Sequence, residues 1–260
     1  MADYETYRDR YPSVRMSRDD SGILEVMLHT KGDSLRWSFD LIEQFARAFR
    51  DVASDKANRV VVLTGTGREY VGPRANVPEG QIASMTQKMG SAPDPNFFVT
   101  GCGNAREMQN ALLDVAVPVI CAVNGPVLRH CELALWADVV IASEDASFED
   151  SAHFDLQGLV PGDGMHIIAT MLMGINRARY FLLTGEVIDA KEALRLGLVG
   201  EVRPKEKVLA RAHELARKFA QKSDPTLRHT RALLTHPIKK QILELASLGL
   251  MMESMAKLAS

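Results

Sequence analysis

Of the seven histidines in the 260 residues, two stand where an α/β protein places reacting groups. His130 follows the apolar run Val119–Val123 and the breaker Asn124-Gly125-Pro126. His153 follows Ser147-Phe148-Glu149-Asp150, and Asp163 sits further on in the tight turn Pro161-Gly162-Asp163-Gly164. Strand ends that feed loops or helices are the usual seat of ligand groups in such folds. A carboxylate bound to one imidazole nitrogen fixes the tautomer and raises the basicity of the other. A His153–Asp163 pair is therefore expected to activate water as a general base. His130, at a helix N-terminus, is expected to be held neutral by the helix dipole and to donate an N–H to an oxyanion. Spacing alone also admits a structural histidine and a turn aspartate. His29, His213, His229 and His236 suit surface or capping roles, and His166 reads as an ordinary helix residue.

Other chemistries lack their residues. There is no HExxH or closely paired His–carboxylate motif for a metal, so none is expected. There is no GxSxG elbow for a serine hydrolase, and no P-loop or GxGxxG for a nucleotide. No cofactor is expected. A net charge of −2 points away from nucleic acid and anionic membranes. Cys102, Cys121 and Cys131 are odd in number and irregularly spaced, as reduced thiols are, and Cys121 lies in an apolar run that suits the core. Residues 1–18 contain no apolar signal segment, and no apolar run approaches the ~20 residues of a membrane span. A cytoplasmic location is the expectation.

The elements that must position these residues alternate. Residues 23–29 and 59–64, Val119–Val123 and residues 138–142 read as strands, the second as a near-continuous β-branched run covered on both faces and the last as another buried strand. Residues 38–53, with Ser38 as N-cap, 104–115 and 130–136 read as helices between them. This order predicts parallel pairing with right-handed crossovers. Residues 65–103 carry seven glycines and four prolines and read as loop, with a short helix over 81–88. After Pro161 the chain reads as helical over Met165–Met173, 177–183, 191–196, 206–222, 226–234 and 239–258, with a short strand near 199–202. Two parts are expected, a core over 1–203 and a helical region over 204–260. The latter has more apolar residues than one buried face requires.

Four segments together resemble the crotonase (enoyl-CoA hydratase/isomerase) superfamily: residues 59–67, Pro118 to Gly125, Cys131 to Asp138, and Leu182 to Ala190. The resemblance implies an α/β fold, a crotonase-like spiral of ββα units with C-terminal helices that mediate trimerisation, and two trimers that can stack into a hexamer. A typical hydratase has a Phe-x-Ala-Gly-x-Asp loop whose backbone N–H holds a thioester oxyanion. Here the stretch is Tyr70-Val71-Gly72-Pro73-Arg74-Ala75, and Pro73 has no N–H to give. The glycine run before Cys-Glu-Leu-Ala is replaced by Leu128-Arg129-His130. Glu132 matches one hydratase carboxylate, whereas the other acid's region reads Ser151-Ala152-His153-Phe154-Asp155.

These departures are similar to the β-diketone hydrolase branch typified by 6-oxocamphor hydrolase. Ser34-Leu35-Arg36-Trp37, Asn124-Gly125-Pro126-Val127 with His130, His153-Phe154 and Val160-Pro161-Gly162-Asp163-Gly164 carry the likeness. Ser247-Leu248-Gly249-Leu250 with Glu253 extends it. The stretch after His153 is one residue longer than in that branch. Residue by residue, the resemblance implies His153 and Asp163 as the base dyad, His130 and Trp37 as carbonyl-binding groups, and Glu253 near the site. It implies cofactor-free, retro-Claisen cleavage of a C–C bond in a small 1,3-diketone, cyclic in form, to a keto acid. The residues alone also fit Trp37 as a core indole and Glu253 as a solvated helix position. A CoA-ester hydratase/isomerase, favoured by Glu132, and a non-catalytic binding or assembly protein are the alternatives.

Overall fold

The computed structural model describes residues 2–74 and 95–259. The helix expected over 81–88 lies outside the described residues. Strands β1 (Val14–Arg18), β2 (Ile23–Leu28), β4 (Val60–Gly65), β6 (Val119–Val123), β7 (Val139–Ser143) and β10 (Glu201–Arg203) form one sheet in that order. β1 runs antiparallel to β2, and every other pairing is parallel. The register lines up apolar rows: Leu24, Val61 and Val119 are successive partners, and so are Leu63, Cys121 and Val140. The alternate positions Val62, Ile120 and Ala122 form a second apolar cluster. β4 and β6 are buried along their whole length, which is why their sequences do not alternate. Each fully buried Val or Leu contributes ~1.5–3 kcal/mol.

One cluster takes in residues of helices α2 (Phe39–Ser54) and α3 (Pro95–Asp114); the other is closed by α9 (Lys205–Ala220) through Val208, Ala212 and Ala216. A second, narrow sheet runs beside the first. β3 (Leu35–Arg36) pairs with β5 (Val71–Gly72), bridges continue through Val127 to β8 (Ser147–Phe148), and β8 pairs with β9 (Ile188–Asp189). Each long strand from β2 to β7 therefore hands over to a short one. This is the crotonase-type spiral of ββα units. Trp37 directly follows β3, Pro73 follows β5, His130 comes three residues after Val127, and His153 closes the loop after β8.

Among the described residues, the remaining helices are α1 (Tyr4–Tyr7), α4 (Glu132–Leu135), α5 (Phe154–Gln157), α6 (Met165–Met173), α7 (Ile175–Thr184), α8 (Ala190–Leu196) and α10 (Asp224–Ala259). Three expectations are corrected. Helix α3 starts at Pro95 rather than near Asn104, inside a stretch read as loop. Its internal Gly101 and Gly103 each cost about 1 kcal/mol against alanine, which packing on α2 offsets. Helix α10 is one element and not two, with Pro237 inside it. The carbonyl freed by Pro237 belongs to Leu233, which is exposed and can be hydrated. The helix read over 130–136 shortens to α4, and His130 lies outside it with φ 54°.

A buried arginine ties α10 to the core. Arg231 donates to the carbonyls of Leu112, Leu113 and Val115 at the end of α3, and pairs with Asp138 at 2.7 Å. Among the described residues, no helix is long and apolar enough to cross a membrane.

Candidate active site

Four loops and helices bring five polar side chains together. His130 is buried, and its ring stacks on the Trp37 indole with centroids 3.7 Å apart and planes 27° from parallel. Its Nδ1 lies 2.9 Å from Glu132 Oε1 and 3.1 Å from Asp163 Oδ2. The His153 ring meets His130 edge-on at 6.1 Å. His153 Nδ1 lies 2.6 Å from Asp150 Oδ1, and its Nε2 lies 3.4 Å from the same Asp163 Oδ2. Asp163 thus bridges the two imidazoles with a single oxygen.

The local sequence explains these placements. His130 takes the left-handed backbone region, which histidine visits more readily than most residues, and this turns its side chain off the strand direction. Asp163 sits between Gly162 and Gly164. A Cβ on Gly162 would lie 2.2 Å from the Gly249 carbonyl oxygen, so only glycine lets the turn rest against α10. Gln109 of α3, itself buried, donates to the Asp163 carbonyl and holds the turn from the other side. Glu253 follows Gly249 by one turn of α10, and its Cβ lies beside the same turn.

The charges are strongly coupled. Burial opposes a charged His153, yet Asp163 and Asp150 together hold its pKa well above the ordinary imidazole value. Burial likewise opposes ionisation of Asp163, but His153 and His130 keep it well below the usual carboxylate range. For His130, burial is outweighed by Glu132 and Asp163, and the pKa rises to about 9. Burial and then Asp163 raise Glu132 to about 7, and the same two causes raise Glu253 to about 8. The expectation of a neutral His130 is therefore corrected. A four-residue helix has a small dipole beside two adjoining carboxylates, and the ring is a cation at neutral pH.

All five expected residues lie in or beside this cluster: Trp37, His130, His153, Asp163 and Glu253. Asp150 is the addition. It makes the shorter contact to His153, on the nitrogen that an orienting carboxylate would occupy, while Asp163 lies on the other. Its signal is an acidic residue three positions before a loop histidine. Gln109 had no signal in the sequence. Among the described residues, one oxygen each of Glu132, Asp150, Asp163 and Glu253 is buried without a hydrogen-bond partner, so the cluster is rich in acceptors that call for donors.

His130, Glu132 and Asp163 offer metal-ligand atoms within 4.8 Å of one another. The 2.9 and 3.1 Å contacts from Nδ1 to the carboxylates are hydrogen-bond distances. A tetrahedral zinc with bonds of about 2.0–2.2 Å would spread its donors to about 3.3 Å or more. The geometry fits a shared proton. Where a thioester oxyanion would meet backbone N–H groups, the chain presents Pro73, which has none, and the His130 side chain. Such a site can hold a carbonyl by side-chain donors and place a water beside an imidazole.

The spiral and the polar cluster at the ends of its short strands define a crotonase-type enzyme. The chain belongs to the enoyl-CoA hydratase/isomerase family, whose model matches residues 18–256. A β-diketone hydrolase from the cyanobacterium Anabaena, solved with (S)-3-oxocyclohexyl acetic acid bound, is 37% identical over 97% of both chains, with a TM-score of 0.90. Carnitinyl-CoA dehydratase from Salmonella arizonae is 32% identical over 80% of this chain and 75% of its own length. An enoyl-CoA hydratase/isomerase from Mycobacterium paratuberculosis, 24% identical over 96% of this chain and 95% of its own, shares the fold with a TM-score of 0.82.

Proposed function

We propose that this chain is a cofactor-independent hydrolase that cleaves a C–C bond of a cyclic, weakly enolisable 1,3-diketone and releases a keto acid. One observation carries the reading: a cationic His130, stacked on Trp37, stands beside the His153–Asp163 pair where the family otherwise offers backbone donors. In its neutral form His153, oriented by Asp150, removes a proton from water. The hydroxide adds to one carbonyl carbon. His130 and Trp37 donate N–H groups to the resulting oxyanion. As the tetrahedral intermediate collapses, the bond to the central carbon breaks, and its electron pair passes to the second carbonyl as an enolate. The proton held by His153 returns to that carbon. The products sum to diketone plus water. The acid bound in the Anabaena hydrolase carries a ketone and a carboxylate, the two groups such a cleavage leaves.

A CoA-ester hydratase is the second reading, favoured by Glu132 and by the carnitinyl-CoA dehydratase likeness. Against it, Glu132 is engaged by His130. The test is incubation with monocyclic and bicyclic β-diketones in ¹⁸O-water, with product analysis by mass spectrometry. We expect one label in a new carboxylate, and loss of turnover in His153→Ala. Absence of keto acid from every diketone, together with tight acyl-CoA binding by calorimetry, would establish the hydratase reading instead.

A further inference from the structure

We propose that Glu132 is a positioning residue that acts through His130: its hydrogen bond keeps one proton on Nδ1 and its charge keeps the ring cationic, so that Nε2–H meets the oxyanion as a charged donor. The inference rests on the hydrolase reading for its purpose, but not for its geometry. Glu132 is wholly buried, its Oε1 lies 2.9 Å from His130 Nδ1, and it sits on α4 only two residues along the chain.

Tautomer logic gives the contact its meaning. With a proton fixed on Nδ1, a neutral ring has a bare lone pair at Nε2. That lone pair would repel an oxyanion. Only the imidazolium can donate from Nε2 while Nδ1 stays bound to a carboxylate. Ring rotation does not offer an escape, since the imidazole is stacked on Trp37 and held from a left-handed backbone.

Asp163 cannot replace Glu132 in this role. Its Oδ2 faces His130 Nδ1 at 3.1 Å and His153 Nε2 at 3.4 Å, so its charge is divided between two rings. The groups that face or act on His130 are Glu132 from α4, Asp163 from the turn before α6, His153 from the loop before α5, and Glu253 from α10. The two carboxylates in direct contact overcome the burial penalty, which fits a ring that loses its proton only at about 9. Burial and Asp163 raise Glu132 while its contact with His130 lowers it, and Glu132 in turn raises His130, so the two groups titrate as a coupled pair. The carboxylate that matches a hydratase acid is in this way turned from the substrate towards a neighbouring imidazole.

The experiment compares wild type with Glu132→Gln, which keeps the shape and an acceptor oxygen but removes the charge. In protein labelled with ¹⁵N-histidine, NMR reads the protonation of each ring nitrogen against pH, with His130→Asn identifying the signal. We expect wild-type His130 to titrate well above ~6.5 with Nδ1 protonated, and the variant to titrate about 1–3 units lower. The ratio of wild-type to variant kcat on a cleaved diketone should then grow as pH rises from 7 to 9, with thermal midpoints nearly equal. A His130 titration unchanged by the substitution overturns the proposal, as does a kcat penalty that is flat with pH. If no diketone is cleaved, the hydrolase reading fails, while the NMR titration still decides the role of Glu132.

Discussion

An imidazole with a carboxylate on each nitrogen holds its proton tightly, and His153 is in that position. The contact to Asp150 is 2.6 Å and the contact to Asp163 is 3.4 Å. The longer one is the side on which water can approach, since a charge-assisted hydrogen bond is normally about 2.7–2.9 Å. Both aspartates favour the charged ring, so as pH falls through the raised pKa of His153 the base is lost, and activity falls with it. Replacing Asp150 by Asn removes one of those charges. The acid limb of the kcat profile should move to lower pH, and the plateau should drop by on the order of 10²–10⁴, because the tautomer is no longer set. An Asp150→Asn profile that overlays the wild type would remove Asp150 from the mechanism. The histidines and Asp163 were legible because they follow strand ends or sit in a glycine turn. Asp150 is hidden because an irregular loop has no periodicity to mark a three-residue contact, and the charge of His130 is hidden because Asp163 reaches it only in three dimensions and the two-residue spacing to Glu132 does not itself signal a contact.

At the scale of elements, the site depends on how closely α10 approaches the Asp163 turn. A Cβ at Gly249 would lie 2.5 Å from the Gly162 carbonyl oxygen and 2.4 Å from the His166 ring. Gly249→Ala must push the helix outward, carrying Glu253 away from the cluster and loosening Asp163. We expect a loss of about 1–3 kcal/mol of stability, as overpacking causes, measured by urea denaturation, together with lower kcat. A variant as stable and as active as the wild type would show that the contact has slack. The core strands could be read from their β-branched runs. The continuity of α10 could not, because Pro237 signals a break locally and only its exposed surroundings make it tolerable. Strand β1 also went unread, since its five residues alternate among charged ones and gain their meaning from pairing with β2.

For the molecule as a whole, α10 is apolar on more than one side. Ile242, Ala246 and Leu250 pack into the core, yet Leu243 is 80% exposed, and Leu234, Leu248, Met251 and Met255 are exposed as well. A helix with one partner needs one apolar stripe, and a patch of this kind marks an association surface. We expect the chain to associate as a trimer through this helical region, alone or as stacked trimers, with Leu243→Lys weakening the association. Light scattering that reports a monomer at micromolar concentration would count against it. The division of the sequence at residue 203 separates helices by order and not by contact, since α9 belongs to the sheet's cover while α10 reaches both α3 and the site.

The backbone of His130 holds one more consequence. At φ 54° a glycine rests without penalty, whereas an L-residue with a side chain gives up roughly 1–2 kcal/mol. The main chain there has a conformation that glycine adopts freely. The strain is a local stability cost that the protein carries for as long as a histidine occupies the position.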